Sequence, residues 1–248
     1  MKKQYLLIVV LLVMALSTLA CGVTIDGVDL NSVRGSGTVV TEERQVSGFE
    51  RVELSGIGAL VIEVGSEETL VIEAEDNLLE YIETTVRGDT LEIGSRERTN
   101  LQPTEPISYY LTVKSLDSIS VSGLGNVVGP GLEATRFSVD ISGAGDVSLE
   151  SLDAERLDIS ISGLGSLGID AGQVSEQSID LSGSGGYNGR NLESADAEIY
   201  VSGLGSASVW ATENLFVNIS GSGSVRYAGD PSVDMDISGL GSLKKIDD

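Results

Sequence analysis

The chain has no histidine and a single cysteine in 248 residues. The first absence removes Ser-His-Asp and Cys-His catalysis and the commonest zinc ligand. The second removes any intrachain disulfide, so bridges do not hold this fold together. No metal or cofactor site is expected from what remains. Aromatic residues make up only 4% of the chain, so the core must be thin and aliphatic. Basic residues are scarce, 15 against 38 acidic, for a formal charge of −23. A surface this acidic disfavours DNA, RNA and anionic lipid as direct partners. It suits a solvated outer face, loose cation screening or a basic partner.

Long hydrophobic runs are also missing, apart from Tyr5 to Leu16. That run is too short to span a bilayer. It follows Lys2-Lys3 and leads into Ser17-Thr18-Leu19-Ala20-Cys21, the order of a secretory leader. Small or apolar residues before a lone cysteine resemble a lipobox, although Thr18 stands where leucine is usual. The resemblance implies removal of residues 1–20, lipid on Cys21, and an exported protein held to a bacterial membrane on its extracytoplasmic side. Residues 21–37 read as a tether, with a short strand near Val23–Val28. Residues 38–248 then form the head.

Glycine is abundant, at 31 residues, and it is periodic. Ser-Gly-x-Gly tetrapeptides begin at Ser122, Ser142, Ser162, Ser182, Ser202, Ser220 and Ser238, in steps of 20 residues and then 18. An earlier copy, Ser55-Gly56-Ile57-Gly58, stands alone upstream. Residues one and three places before each serine are apolar, as in Ile119 and Val121, Val139 and Ile141, or Ile179 and Leu181. The residue between them is polar or amphipathic: Ser120, Asp140, Ser160, Asp180, Tyr200, Asn218, Asp236. Strict alternation predicts a strand with one buried face. The glycine pairs are then expected to turn the chain by adopting positive φ. They are Gly123 and Gly125, Gly143 and Gly145, Gly163 and Gly165, Gly183 and Gly185, Gly203 and Gly205, Gly221 and Gly223, and Gly239 and Gly241. A second strand follows, with Val147 and Leu149, Leu167 and Ile169, Ala207 and Val209, or Val225 and Tyr227 inward, and Leu132, Leu152 and Leu192 in a third inward position.

One such window cannot fold alone, because it completes neither its hydrogen bonds nor its core. Stacked windows do both. The predicted fold is therefore all-β: a parallel β-helix with coils of about 20 residues. Residues 115–243 form the regular coils and 38–114 a less regular N-terminal part. In that part Leu70, Leu91 and Leu111 are spaced by 21 and 20 residues, which suggests the same coil length. Asn77–Ile82 reads as a short helical turn, Arg87-Gly88-Asp89 as a tight turn, and Asn100–Ile107 as a loop.

Gly48-Phe49-Glu50-Arg51-Val52-Glu53-Leu54-Ser55-Gly56, then Leu60-Val61-Ile62, Asp76-Asn77-Leu78-Leu79 and Arg87-Gly88-Asp89-Thr90-Leu91-Glu92-Ile93, resemble the head domain of the autotransporter-adhesin family, the GIN head domain. The Ser-Gly-x-Gly turns resemble it too, and the likeness runs from Thr38 to Leu243. It implies a right-handed β-helix, pectin-lyase-like in shape, and a role in adhesion. It carries no catalytic motif.

The candidate ligand face is the outward column of Asp140, Asp180, Asn218 and Asp236, with Tyr200 and Trp210 as exposed aromatics for stacking on sugars. Arg136, Arg156, Glu176 and Asp196 share one repeat phase and read as a charge ladder. Three functions stay open at this point. The first is a non-enzymatic, lipid-anchored surface β-helix binding glycan or protein. The second is a polysaccharide lyase or hydrolase using outward carboxylates, and the third a structural envelope component.

Overall fold

The computed structural model describes residues 31–246, so the leader, Cys21, the expected strand at Val23–Val28 and Asp247-Asp248 lie outside the described residues. The strands in chain order are β1 (Asn31–Arg34), β2 (Val39–Arg44), β3 (Arg51–Leu54), β4 (Ala59–Val64), β5 (Thr69–Glu75), β6 (Ile82–Arg87), β7 (Thr90–Ser95), β8 (Thr99–Gln102), β9 (Ser108–Val113) and β10 (Ser118–Val121). They continue as β11 (Asn126–Ile141), β12 (Val147–Ile161), β13 (Ser166–Ile169), β14 (Gly172–Leu181), β15 (Gly186–Val201), β16 (Ser206–Ile219), β17 (Ser224–Ala228), β18 (Ser232–Ile237) and β19 (Ser242–Lys245). The described residues contain no α-helix. A single 3-10 turn, Leu79–Tyr81, falls inside the segment expected to be helical.

Successive coils lie parallel and in register. Val127 neighbours Val147, Leu152 neighbours Gly172, and Ile159 neighbours both Val139 and Ile179. The result is a β-solenoid of about six turns. One face runs β7, β3, β10, β11, β12, β14, β15, β16, β18. At ~4.8 Å per strand that stack is roughly 38 Å long. The other runs β9, β4, β11, β12, β13, β15, β16, β17, β19. The long strands β11, β12, β15 and β16 bend from one face to the other through a third side.

Most inward residues read from the alternation, including Ile119, Val121, Leu149, Leu152, Leu167, Ile179 and Val209, are buried, while Tyr227 is half-buried and Met235 and Ile237, on the last rung, are exposed. At about 25 cal/mol per Å² of apolar surface, this aliphatic column is the main stabilising term.

The glycines of the corners act differently from the expectation. None of Gly123, Gly125, Gly143, Gly145, Gly163, Gly165, Gly183, Gly185, Gly203, Gly205, Gly221, Gly223, Gly239 or Gly241 has a positive φ; among these tetrapeptides only Gly58 does, at 114°. They are required by close approach. A Cβ on Gly163 would stand 1.9 Å from the Gly143 carbonyl oxygen, and one on Gly183 2.1 Å from that of Gly163. Those carbonyls accept from the next coil: Leu164 N–H donates to Gly143 O at 3.0 Å and Ser184 N–H to Gly163 O at 3.1 Å. The corner thus holds backbone on backbone, with no room for a side chain.

The N-terminal region is not a run of coils of the same length. β3 and β4 form a rung directly beneath β10 and the start of β11, although 67 residues separate Ser55 from Ser122. Ser122 N–H donates to Leu54 O at 3.1 Å. Between them the chain builds a cap. β7 and β9 lie under β3 and β4, then β6 turns back antiparallel on β7 across the tight turn at Gly88, whose φ is 65°. β5 lies antiparallel on β9, and β2 antiparallel on β5. Leu70 and Leu111 do face each other, but in antiparallel strands, while Leu91 pairs with Val52 on the opposite face. Their spacing in sequence therefore reflected no coil.

Two further expectations need correction. Residues 31–37, assigned to the tether, are docked on the head: β1 pairs in parallel with β8, so Asn100–Gln102 is strand rather than loop. The Glu75 carboxylate locks this strap. It accepts from Gly37 N–H at 2.6 Å and from Thr104 N–H and Oγ1 at 2.9 and 2.5 Å. Its side chain is fully covered. The hydrogen bonds from Thr104 hold its carboxyl below the usual carboxylate range.

Candidate functional site

The outward residues of the first face form three columns at strand spacing. One runs Glu53, Ser120, Asp140, Ser160, Asp180, Tyr200, Asn218, Asp236. The structure therefore brings five of the six candidate ligand residues onto one line. Beside it run Ser138, Asp158, Ser178, Glu198, Phe216 and Asp234, and beyond that Arg136, Arg156, Glu176, Asp196, Asn214 and Ser232.

The third column is the expected charge ladder. Arg156 reaches Asp158 Oδ1 and Glu176 Oε2, each at 2.8 Å, and Arg136 reaches Asp158 at 3.6 Å. The Asp158 hydrogen bond and charge push the Arg156 guanidinium up from its ordinary value. Asn214 Nδ2 donates to Asp196 Oδ1 at 2.7 Å. Exposed pairs of this kind contribute ~0–1 kcal/mol each, so the ladder orders side chains more than it stabilises the fold.

Tyr200 is the centre of this face. The residue is 39% exposed. Two residues of the neighbouring column hold it: its hydroxyl donates to Glu198 Oε1 at 2.5 Å, and its ring meets Phe216 at 5.7 Å and 55°. The hydrogen bond to Glu198 raises the phenol's pKa, with desolvation adding to it. Next to it lies a groove of about 240 Å³ lined by Arg156, Glu176, Asp196, Glu198, Asn214 and Phe216 among others. Asp140 sits two rungs below Asp180, with Ser160 between, and partial burial pushes its carboxyl up. Two rungs correspond to roughly 10 Å.

Trp210 departs from the expectation. It is half-buried and pairs with Glu193 on the third side of the coil, away from Tyr200. The cause is a register shift in β15. Between Gly189 and Glu193, and again between Ser194 and Asp196, β16 does not match it residue for residue, and from here the repeat shortens from 20 to 18. The shift leaves polar groups inside, and a buried network satisfies them. Tyr187 Oη donates to Gln177 Oε1 at 3.0 Å, Gln177 Nε2 to Ser194 Oγ at 2.7 Å, and Ser194 Oγ to Trp210 O at 2.8 Å. Gln177 occupies the inward column of Phe137 and Leu157. A glutamine at an otherwise apolar phase was the signal in the sequence for this network. Desolvation pushes the Tyr187 hydroxyl far above its ordinary pKa, so it stays a donor.

The second face differs in charge. Asn188, Ser208, Arg226 and Lys244 form one outward column there. Among the described residues no group of three or more carboxylate, cysteine or histidine side chains is gathered as a metal site. No described helix is long and apolar enough to cross a membrane.

Comparisons with known proteins agree on the fold. A crystal structure of a putative adhesin from Bacteroides fragilis superposes with a TM-score of 0.82 at 23% identity, covering 86% of this chain and all of that one. A putative adhesin from Parabacteroides distasonis gives 0.71 at 22%, covering 87% and all of the other chain. A protein from the same species described as a putative lipid binding protein gives 0.71 at 23%, with the same coverage. Curated protein sequences give no match. The model of one family matches residues 48–231, most of the solenoid and its cap. The chain belongs to the family described as putative auto-transporter adhesin, head GIN domain.

Proposed function

We propose that the chain is a lipid-anchored, non-enzymatic surface module that binds uncharged saccharide chains along its acidic face, around Tyr200. The observation that carries this is the Tyr200 ring, pinned by Glu198 and Phe216 of the neighbouring column yet part exposed, in a column of carboxylates and amides between Asp180 and Asn218. A flat aromatic surface takes the apolar face of a sugar, and carboxylates and Asn side chains accept or donate to its hydroxyls. Strand spacing repeats these groups every ~4.8 Å, and the rigid sheet holds them before ligand arrives. The acidic field turns away polyanionic glycans. Family membership supports an adhesive role, and the leader and Cys21 support anchoring.

The test is binding of the purified protein to neutral envelope and cell-wall glycans, with Tyr200→Ala as the variant. Loss of the ring should weaken binding several-fold, in line with ~0.5–1.5 kcal/mol for an aromatic contact, while the lost Phe216 contact lowers the melting temperature by only a few degrees and leaves the protein folded at the assay temperature. Equal binding by the variant removes the site. Release of cut product from the same glycans, abolished by Asp180→Asn, would establish a polysaccharide-cleaving enzyme instead. A stable crosslinked envelope protein with no glycan bound would establish a structural component. Anchoring is tested separately: incorporation of labelled fatty acid should vanish in Cys21→Ser.

A further inference from the structure

The two ends of the solenoid are finished differently. At the N-terminal end β2, β5 and β6 fold back antiparallel, and the residues beneath them, such as Leu70, Ile72 and Leu78, are fully covered. At the other end β18 and β19 have a strand on one side only among the described residues. Val233, Met235 and Ile237 continue the inward columns of Leu215, Val217 and Ile219. Yet they are 38%, 60% and 36% exposed, and Leu240 at the corner is 90% exposed. Val233, Met235 and Ile237 are core residues that no described coil overlies; Leu240 belongs to the corner column, where Leu124, Leu164 and Leu204 are also exposed. Solenoids need a polar terminal repeat to stay apart, and an open strand edge beside apolar side chains is a template for pairing.

The rim also carries opposite charges on the two sides of one corner. Asp234 and Asp236 point outward from β18, and Lys244 from β19. A two-fold axis through the corner at residues 238–241 maps each side onto the other. It lays β18 antiparallel against β19 of a second copy and brings Asp234 and Asp236 beside the second copy's Lys244. A self-complementary patch is what an isologous contact requires. Pairing β18 with β18 would instead oppose carboxylates.

We infer that the C-terminal end is a joint for a second copy of this chain, which closes two solenoids end to end over Val233, Met235 and Ile237. The described chain enters at the capped end, through β1. On the anchored reading above, the joint points away from the membrane and heads on opposed surfaces meet tip to tip. The joint itself is measured in solution and stands or falls without that reading.

The experiment uses the full chain in a Cys21→Ser background. Sedimentation should give twice the monomer mass. Met235→Lys with Ile237→Asp should return the monomer with an unchanged circular dichroism spectrum, because both residues are already exposed in the single chain. Asp236→Lys should weaken the dimer, and adding Lys244→Asp should restore it. Since the corner lies on the axis, Leu240→Cys should form a covalent dimer on mild oxidation. Leu124→Cys, 68% exposed at the same turn position near the capped end, should stay monomeric. A monomeric wild type overturns the inference. Open-ended polymers overturn it in favour of head-to-tail stacking, and equal crosslinking at Leu124→Cys and Leu240→Cys overturns the axis.

Discussion

Gly163→Ala is the substitution that examines the corner most sharply. Its Cβ would stand 1.9 Å from Gly143 O and 2.6 Å from Ser142 O. Both are backbone atoms, so no flexible side chain can give way. Reaching even 3.0 Å needs a shift of about 1 Å, which breaks the fit of the next coil. The hydrogen bond from Leu164 N–H to Gly143 O, now 3.0 Å, lies in the path of that shift, and so does the one from Gly163 N–H to Ile141 O at 3.2 Å. Overpacking costs ~1–3 kcal/mol, and each weakened hydrogen bond adds ~0.5–1.5 kcal/mol. The expected loss is about 3 kcal/mol. For a domain of this size each kcal/mol shifts the midpoint by ~2–4 °C, so melting should fall by roughly 6–12 °C. The control lies in the same coil. A Cβ on Gly168 meets nothing within 4 Å and its φ is not positive, so Gly168→Ala should be neutral or stabilise by ~0.4–1 kcal/mol through the unfolded chain. Thermal unfolding followed by circular dichroism reads both. Equal melting temperatures for the two variants would refute the close-approach account.

Three other outcomes follow from the geometry. Gln177→Leu removes the acceptor of the buried Tyr187 hydroxyl and one partner of Ser194, and should cost ~1–3 kcal/mol in denaturant unfolding despite being a more apolar side chain. Arg156→Ala breaks two ion pairs but on an exposed ladder, so the unfolding free energy from urea titration should change by less than ~1 kcal/mol. Glu75 has its pKa lowered in the folded protein, so its contribution is present above the unfolded value near ~4.3 and is lost as pH falls through the folded one. Protection factors in β1, β2 and β8, which are exchange rates referred to the intrinsic rate at each pH, should therefore fall on acidification in the wild type and change less in Glu75→Gln.

Much of the architecture was legible because it repeats. The alternation at Val139–Asp140–Ile141 or Ile179–Asp180–Leu181 has only one burial solution, and a fixed step puts like residues in columns. The outward column from Asp140 to Asp236 followed from phase alone. What the pattern could not show was why Gly163 is glycine: the clash is with another coil, not within its own. Nor could it show that Ser55 lies beneath Ser122, since the excursion through the cap depends on long-range pairing. The half-buried setting of Trp210 was hidden for the same reason: it lies where β15 and β16 do not match residue for residue, which only their pairing reveals. The strap at residues 31–37 has no periodicity; it is fixed by Glu75 and β8, which are distant in sequence.

The central claim is that spatial order along the solenoid departs from chain order at its base. Dipolar electron resonance between spin labels placed at Ser55→Cys and Ser202→Cys, with Cys21→Ser, measures this directly, using Ser122→Cys with Ser202→Cys as the ruler. Stacking at ~4.8 Å per rung predicts roughly 19 Å for the ruler and roughly 24 Å for Ser55, one rung further. A separation beyond ~35 Å, as coils laid down strictly in chain order would give, would contradict it.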